Sequence, residues 1–395
     1  MSIRETITAY VEKQYPVYRQ IALDIHARPE VCNEEFYACQ RLSNQLRAEG
    51  FQVTVDVAGH RTGFTGTYQS KKPGPVLVFL AEYDALPGLG HGCGHNLLGA
   101  TSMLAAAALR QVADEVGGEI RVYGTPGEEG GKNGSAKGCF VREGYLKDVD
   151  AALCVHPGDK HEASAKNLAC LPVDIEFRGT PAHAATAPEK GINALDALIL
   201  TYNGINALRQ HVTADVRMHG IITSGGEAPN IVPAYAAAKF FFRAGTVPKL
   251  EALYRRIEKI VEGAALMTGA TGQIQPYQNR IDNMVPTPSF DAVYGKELAL
   301  LGETMLPSGD GCGIGSSDVG NISQVVPTIQ PTICITDGPV PWHTEQAKAA
   351  AKSEKGLASI RLGAKALALT ALDLIEDPAL LASIKADHAR ALLKQ

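Results

Sequence analysis

The chain has 395 residues, with 37 basic against 42 acidic side chains and a formal net charge of −5. That balance argues against a nucleic-acid partner, and no apolar run approaches the roughly 20 residues that a membrane-spanning helix needs, so a soluble chain with no membrane partner is expected. The length fits two domains, or one large α/β enzyme carrying an insertion.

The first 50 residues read as helix, with apolar positions at helical spacing from Ile7 to Ala22 and from Tyr37 to Leu46, split by the turn-like HARPEVCNEE. FQVTVDV and GPVLVFLAEYDALPG then read as strands. The second is almost continuously apolar, as expected of a central strand in a parallel sheet covered on both faces. Beyond the Gly-rich GLGHGCGHN come the helix LLGATSMLAAAALRQVADEV, the strand EIRVYGTP, the loop GEEGGKNGSAKG and the strand DAALCVHPG. Strand, helix, strand marks an α/β layer, whose ligands gather at the carboxyl ends of the strands.

From 172 to 285 the order becomes strand VDIEFRG, helix INALDALILTYNGINALRQHV, strands RMHGIITSGG and YAAAKFFFRAG, helix KLEALYRRIEKIVEGAALMTG and strand QIQPYQN. This β-α-β-β-α-β order is that of the ferredoxin-like unit, so 172–285 reads as an inserted domain. Residues 286–395 supply a helix, a Gly-rich loop, apolar strands and an Ala-rich helical tail, and rejoin 1–171 in the first domain. The cysteines at 32, 39, 93, 139, 154, 170, 312 and 334 form no CxxC pair, and the N-terminal MSIRETITAYVEKQYP has no secretory apolar stretch. Both point to a reduced, cytoplasmic setting.

Four polar clusters fall at predicted strand ends. The loop HGCGHN holds His91, Cys93 and His95 among glycines that let alternate side chains converge, a clamp suited to zinc-like ions; a Gly-rich turn with a free thiol is the alternative. GTPGEEGG presents Glu128 and Glu129, so that one carboxylate can bind metal while its neighbour takes a proton from water. As a lone pair these would read as a solvated acidic turn. His156 ends the strand of LCVHPG and His343 follows an apolar run in PVPWHTE. Pooled, Cys93, His95, Glu129, His156 and His343 exceed what one tetrahedral ion takes, which fits two ions sharing a ligand. No GxSxG, HExxH or dinucleotide GxGxxG competes.

These residues resemble the co-catalytic di-metal aminoacylases and metallopeptidases, a family that includes auxin-conjugate hydrolases, carboxypeptidases and aminobenzoyl-glutamate hydrolase. AEYDALPGLGHGCGHNLLGA, YGTPGEEGGKNGSAKG, AALCVHPG, FRGTPAHAATAP, SGGEAPNIVPAYA, GSSDVGN and PWHT occur in the family's order over most of the chain. The spelling of GHGCGHNLLG and PGEEGG is most similar to the branch that holds one of the aminobenzoyl-glutamate hydrolase subunits and related dipeptidases, while Asn96 stands where the auxin-conjugate pattern has Asp.

The resemblance implies an α/β fold: a mixed-sheet di-metal exopeptidase-like catalytic domain with an inserted ferredoxin-like lid and dimerisation domain. It implies two divalent ions, Zn or Mn, on Cys93, His95, Glu129, His156 and His343, with Glu128 as general base and acid and Asp84 orienting a ligand. His183, Asn230 and Arg243 match positions that contact the substrate, and the inserted domain would form a homodimer. The expected activity is metal-dependent hydrolysis of the amide of an N-acyl amino acid or dipeptide with a free carboxylate. A non-catalytic metal-binding or regulatory protein on the same fold would show a missing ligand or base, and none is missing; a thiol enzyme using Cys93 is a further rival.

Overall fold

A computed structural model describes residues 1–309 and 315–395, so Cys312 and the glycines around it lie outside the described residues. The chain forms two compact units. Met1–Lys166, 284–309 and Ser317–Lys394 make the first, and Asn167–Asn283 with 315, 316 and 395 the second.

The first unit opens with helix α1 (Ile3–Ala27), started by a capping box in which Ser2 and Glu5 satisfy each other's backbone amides. Helix α2 (Phe36–Ala48) leads into the hairpin β1 (Gln52–Val57) and β2 (His60–Gln69). β2 is absent from the expected elements because HRTGFTGTYQ, rich in Gly and Thr, lacks an apolar alternation. Strand β3 (Val76–Ala81), helix α3 (His95–Val116), strand β4 (Glu119–Gly124) and helix α4 (Lys137–Arg142) follow, then β5 (Ala151–Leu153) and β6 (His156–Gly158).

The second unit runs β7 (Ala169–Arg178), α5 (Ala194–Leu208), β8 (Arg217–Ser224), β9 (Tyr235–Ala244), α6 (Val247–Thr268) and β10 (Thr271–Pro276). Its antiparallel sheet has the order β10-β7-β9-β8, the ferredoxin-like arrangement expected from the sequence. Alternate residues Val173, Ile175 and Phe177 of β7 and Phe240 and Phe242 of β9 build a core with Leu198 and Ile205 of α5 and Ile257 and Val261 of α6.

The chain then returns to the first unit with α7 (Pro288–Leu300), α8 (Val319–Ser323), β11 (Thr328–Ile329), β12 (Thr332–Cys334), α9 (Glu345–Ala350), α10 (Glu354–Glu376) and α11 (Pro378–Leu392). The large sheet is mixed, in the order β1-β2-β4-β3-β5-β11. Pairings among β4, β3, β5 and β11 are parallel, and those of β2 are antiparallel.

β3 lies inside this sheet. Leu77 and Phe79 face a core shared with α1, α3 and α10, whereas Val78 and Leu80 face a second core with Phe140 and Ile322. The spacing predicts one strand through DAALCVHPG; the chain instead changes partner there. Cys154 N donates to Ile329 O and His156 N to Pro331 O, so β6 leaves the large sheet and pairs in parallel with β12.

Glu82, Asp84, Glu128 and Glu129 lie beyond the carboxyl ends of β3 and β4, Cys93 and His95 at the start of α3, His156 at the start of β6 and His343 after β12. Gly94 precedes α3 with φ +82°, and a Cβ there would stand 2.9 Å from Pro157 Cγ. Both facts demand glycine. Gly94→Ala should lower the unfolding midpoint by at least about 2 °C, from roughly 1–2 kcal/mol of left-handed strain, and should loosen the Cys93 and His95 positions; an unchanged midpoint in a thermal melt would contradict this.

Candidate metal centre

After Ala81 the backbone of β3 continues past its last paired residue, and the fully buried Glu82 and Asp84 stand two residues apart on it. Asp84 joins two loops. Its Oδ1 lies 2.9 Å from His95 Nδ1 at the start of α3, and its Oδ2 accepts from Glu129 N at 2.9 Å in the loop after β4. The His95 ring is thereby oriented with Nε2 turned away from Asp84. Such a carboxylate–histidine pairing fixes ring and tautomer at metal sites.

Cys93, His95 and His156 form one group whose donor atoms lie within 4.8 Å of one another; Cys93, Glu129 and His343 form a second, and His95, Glu128 and Glu129 a third. Cys93 Sγ is 3.5 Å from His156 Nε2, and Glu129 Oε2 is 3.6 Å from His343 Nε2. His156 Nδ1 donates to Pro157 O at 2.8 Å, which leaves Nε2 as the lone-pair atom facing Cys93. His343 adopts φ +62°, left-handed for a non-glycine residue, and its backbone N donates to Gly92 O in the cysteine loop.

His91 does not join these groups, although the sequence puts it in the same clamp. It is buried with its ring 5.9 Å from that of His26, and burial pushes its pKa down to about 3. A neutral core histidine results.

Burial lowers His156 to about 4, so its ring is neutral and able to donate a lone pair. For His95, burial opposes the charge, but Cys93 and Asp84 outweigh it and hold the pKa well above the usual histidine range. Burial, then the charges of Glu82 and Glu129, push Glu128 well above the ordinary carboxylate range, which suits a group that must take and return a proton near neutrality. Burial also pushes the Cys93 thiol up, which disfavours a free thiolate nucleophile.

A divalent ion fits this donor set. Among the described residues, His95 Nε2 and Glu129 Oε1 are buried without a hydrogen-bond partner, and thiolate, imidazole and carboxylate are the ligands zinc-like ions take.

His183, Asn230 and Arg243 belong to the second unit. His183 and Asn230 are neighbours, linked by the Ala184 N to Asn230 O bond, and both are exposed. His183 Nδ1 accepts from Ala185 N and Thr186 N, which leaves Nε2 as the ring's donor atom. Arg243 lies elsewhere on the same sheet. It pairs with Cys170, eight residues along β9 from the Tyr235–Arg178 pair, or about 27 Å at about 3.4 Å per residue, and the His183 segment continues beyond that far end. Its Nη1 donates to Ser316 Oγ at 2.8 Å.

The signature described as the peptidase dimerisation domain of the M20 peptidases matches residues 169–267. Xaa-Arg dipeptidase of Mus musculus is 37% identical over 378 residues, which is 91% of this chain and 86% of the relative. The chain belongs to the M20 peptidase family. One of the p-aminobenzoyl-glutamate hydrolase subunits of Escherichia coli is 33% identical over an alignment of 457 residues, covering 96% of this chain and 93% of that one. A solved Bacillus subtilis structure, described as a dinuclear metal-binding peptidase of the M20 family, shares the fold with a TM-score of 0.64 at 20% identity, over 92% of this chain and 99% of that one. With such relatives along most of its length, this M20 peptidase is a metal-dependent hydrolase of amide bonds, and its α/β fold with an inserted dimerisation domain is the one its sequence leads one to expect.

Several residues around the centre carry no motif. Lys137, fully buried, sits 2.8 Å from Glu82 Oε1 and 2.5 Å from Asp318 Oδ1, while its backbone N donates to Asp318 Oδ2. The only sequence signal is a lysine inside the small-residue run SAKG. Glu35, also fully buried, accepts from Gly127 N at 3.0 Å and from Thr62 Oγ1 at 2.8 Å, and so braces the loop that carries Glu128.

Burial, then the charge of Asp84, push Glu35 up to about 8 from an ordinary value near 4.5. The folded chain keeps this proton where the unfolded chain has lost it, so the associated stability is complete below about pH 4.5 and is lost as pH rises through about 8. The unfolding midpoint of this M20 peptidase should therefore fall between about pH 5 and pH 8, and Glu35→Gln should show a shallower fall. Parallel pH profiles of the two proteins would refute this.

Proposed function

We propose that two divalent ions, zinc or manganese, are held by Cys93, His95, Glu129, His156 and His343, and that Glu128 moves the proton in hydrolysis of a dipeptide or N-acyl amino acid with a free carboxylate. The observation that carries this reading is the pair of ligand groups meeting at Cys93, with Glu128 Oε2 3.9 Å from His95 Nε2. Bound ions supply Lewis acidity, polarising a carbonyl and bringing the pKa of a water towards about 7. Glu128 takes the water's proton and returns it to the leaving amine, a task for which its raised pKa suits it.

His183 presents its Nε2–H to the developing oxyanion, and the Asn230 amide adds a further donor. Arg243 binds the substrate carboxylate, to which a guanidinium fork is matched. The names of the relatives support this substrate class, since an Xaa-Arg dipeptide and p-aminobenzoyl-glutamate each join an acyl group through an amide to an amino acid. The free cysteines among the described residues suit the reducing cytoplasm, the setting we assign.

Elemental mass spectrometry of purified protein should find about two zinc or manganese ions per chain, and chelation should stop cleavage across a panel of dipeptides and acyl-amino acids. Glu128→Gln should keep both ions and lose at least about 100-fold in kcat. Turnover retained by Glu128→Gln would remove this residue from the mechanism, and cleavage that survives complete metal removal would overturn the metal reading.

The second unit is read as the surface of a homodimer. β8 is the edge strand of its sheet, and Ile221 and Ile222 on it are 65% and 47% exposed, an unpaired apolar edge of the kind another strand covers. His183 and Arg243 of one chain are too far apart to touch one dipeptide, so their joint action requires two copies. Ile221→Lys should shift the protein from dimer to monomer in sedimentation and lower kcat/KM without loss of metal. A wild-type monomer, or a dimer untouched by the substitution, would refute the interface.

A further inference from the structure

A further buried carboxylate, Glu82, stands beside these ligand groups without belonging to any of them. Glu82 is fully buried, with Oε1 2.8 Å from Lys137 Nζ and Oε2 3.3 Å from His95 Nε2. Among the described residues, neither Glu82 Oε2 nor His95 Nε2 has a hydrogen-bond partner. Burying polar atoms in that state is costly, and two such atoms aimed at each other's vicinity mark a place where something else binds.

Glu82 has two cationic neighbours, the Lys137 ammonium at Oε1 and the His95 ring at Oε2, and the lysine already has another carboxylate. Lys137 is satisfied by Asp318, which receives both its ammonium and its backbone amide. Glu82 therefore brings a second negative charge to one lysine, and only one of its oxygens faces that lysine.

Spacing supports the same assignment. Ligand atoms about 2.0–2.3 Å from a tetrahedral ion stand about 3.3–3.8 Å from one another. Cys93 Sγ and His156 Nε2 at 3.5 Å, and Glu129 Oε2 and His343 Nε2 at 3.6 Å, have this separation. Glu82 Oε2 and His95 Nε2 at 3.3 Å have it too. A catalytic ion of this type also keeps about three protein ligands besides water, and the five residues assigned above fall short of that for two ions unless one is shared.

We propose that Glu82 is a further metal ligand, binding through Oε2 the ion that His95 binds, while Lys137 holds Oε1 and keeps the carboxylate to one coordinating atom. The proposal rests on the metal reading above. The test is a crystal structure of the whole protein loaded with zinc, with anomalous data at the zinc edge. The expected result is an ion about 2.0–2.2 Å from Glu82 Oε2. Ions on Cys93, His95 and Glu129 with Oε2 more than about 3 Å from both would overturn the proposal and leave the metal reading standing. No ion at these residues would overturn both.

Zinc competition with a chromophoric chelator gives an independent readout. Glu82→Gln should weaken one ion by more than the 10- to 100-fold typical of a partner that only orients a ligand, and leave the other unchanged. A loss of less than about tenfold would count against coordination.

Discussion

A surplus of buried negative charge is the constraint on which the rest of this molecule depends. The buried Glu82, Asp84 and Asp318 stand near the half-buried Glu128, Glu129 and Cys93 thiol, and Lys137 is the lysine buried among them. Left uncompensated, such charges would cost far more than a typical domain's margin of about 5–15 kcal/mol. The two divalent ions proposed for this site would bring the cluster close to neutrality. The protein side of that balance is Lys137, whose ammonium burial opposes but whose carboxylate partners keep charged. Breaking such a buried pair by removing one partner typically costs about 3–5 kcal/mol.

The fold holds those charges together by using ends rather than middles. β3 is sealed on both faces by apolar side chains, so its carboxylates can appear only once the paired residues are over. α3 starts at His95 itself, after a left-handed glycine that turns the cysteine loop against Pro157. Asp84 then makes the two loops one object: through one oxygen it orients the His95 ring, and through the other it pins the backbone of Glu129. A shift in either loop would be felt in the other.

Legibility followed chemistry more closely than contact. Cys93, His95, Glu128, Glu129, His156 and His343 could be picked out because reactive side chains in Gly-rich turns are an unusual composition, and their order along the chain resembled a known family. Lys137, Glu82 and Glu35 could not. Each is a common residue type whose meaning comes from partners distant in sequence, as Lys137 and Asp318 are, and no periodicity records such a pairing. His91 shows the converse error. It shares the composition of the loop, but the glycine-rich backbone turns its ring toward His26 instead. At the level of elements, β2 was hidden by its glycines and threonines, and the strand through His156 divides because its pairing passes from β11 to β12, a tertiary event.

The second unit imposes a different logic. Its sheet separates Arg243 from the His183 and Asn230 end by about 27 Å of β9, while a dipeptide spans only a few residues at about 3.4 Å each. One copy of this unit therefore cannot both hold a small substrate's carboxylate and donate to its oxyanion. If the roles proposed for Arg243 and His183 hold, assembly would be part of catalysis rather than an addition to it, since the clamp and the oxyanion donor would have to come from different chains. Under the proposed homodimer, the exposed isoleucines of β8 would be covered by a second copy, and an edge that is otherwise an aggregation hazard would have an occupant.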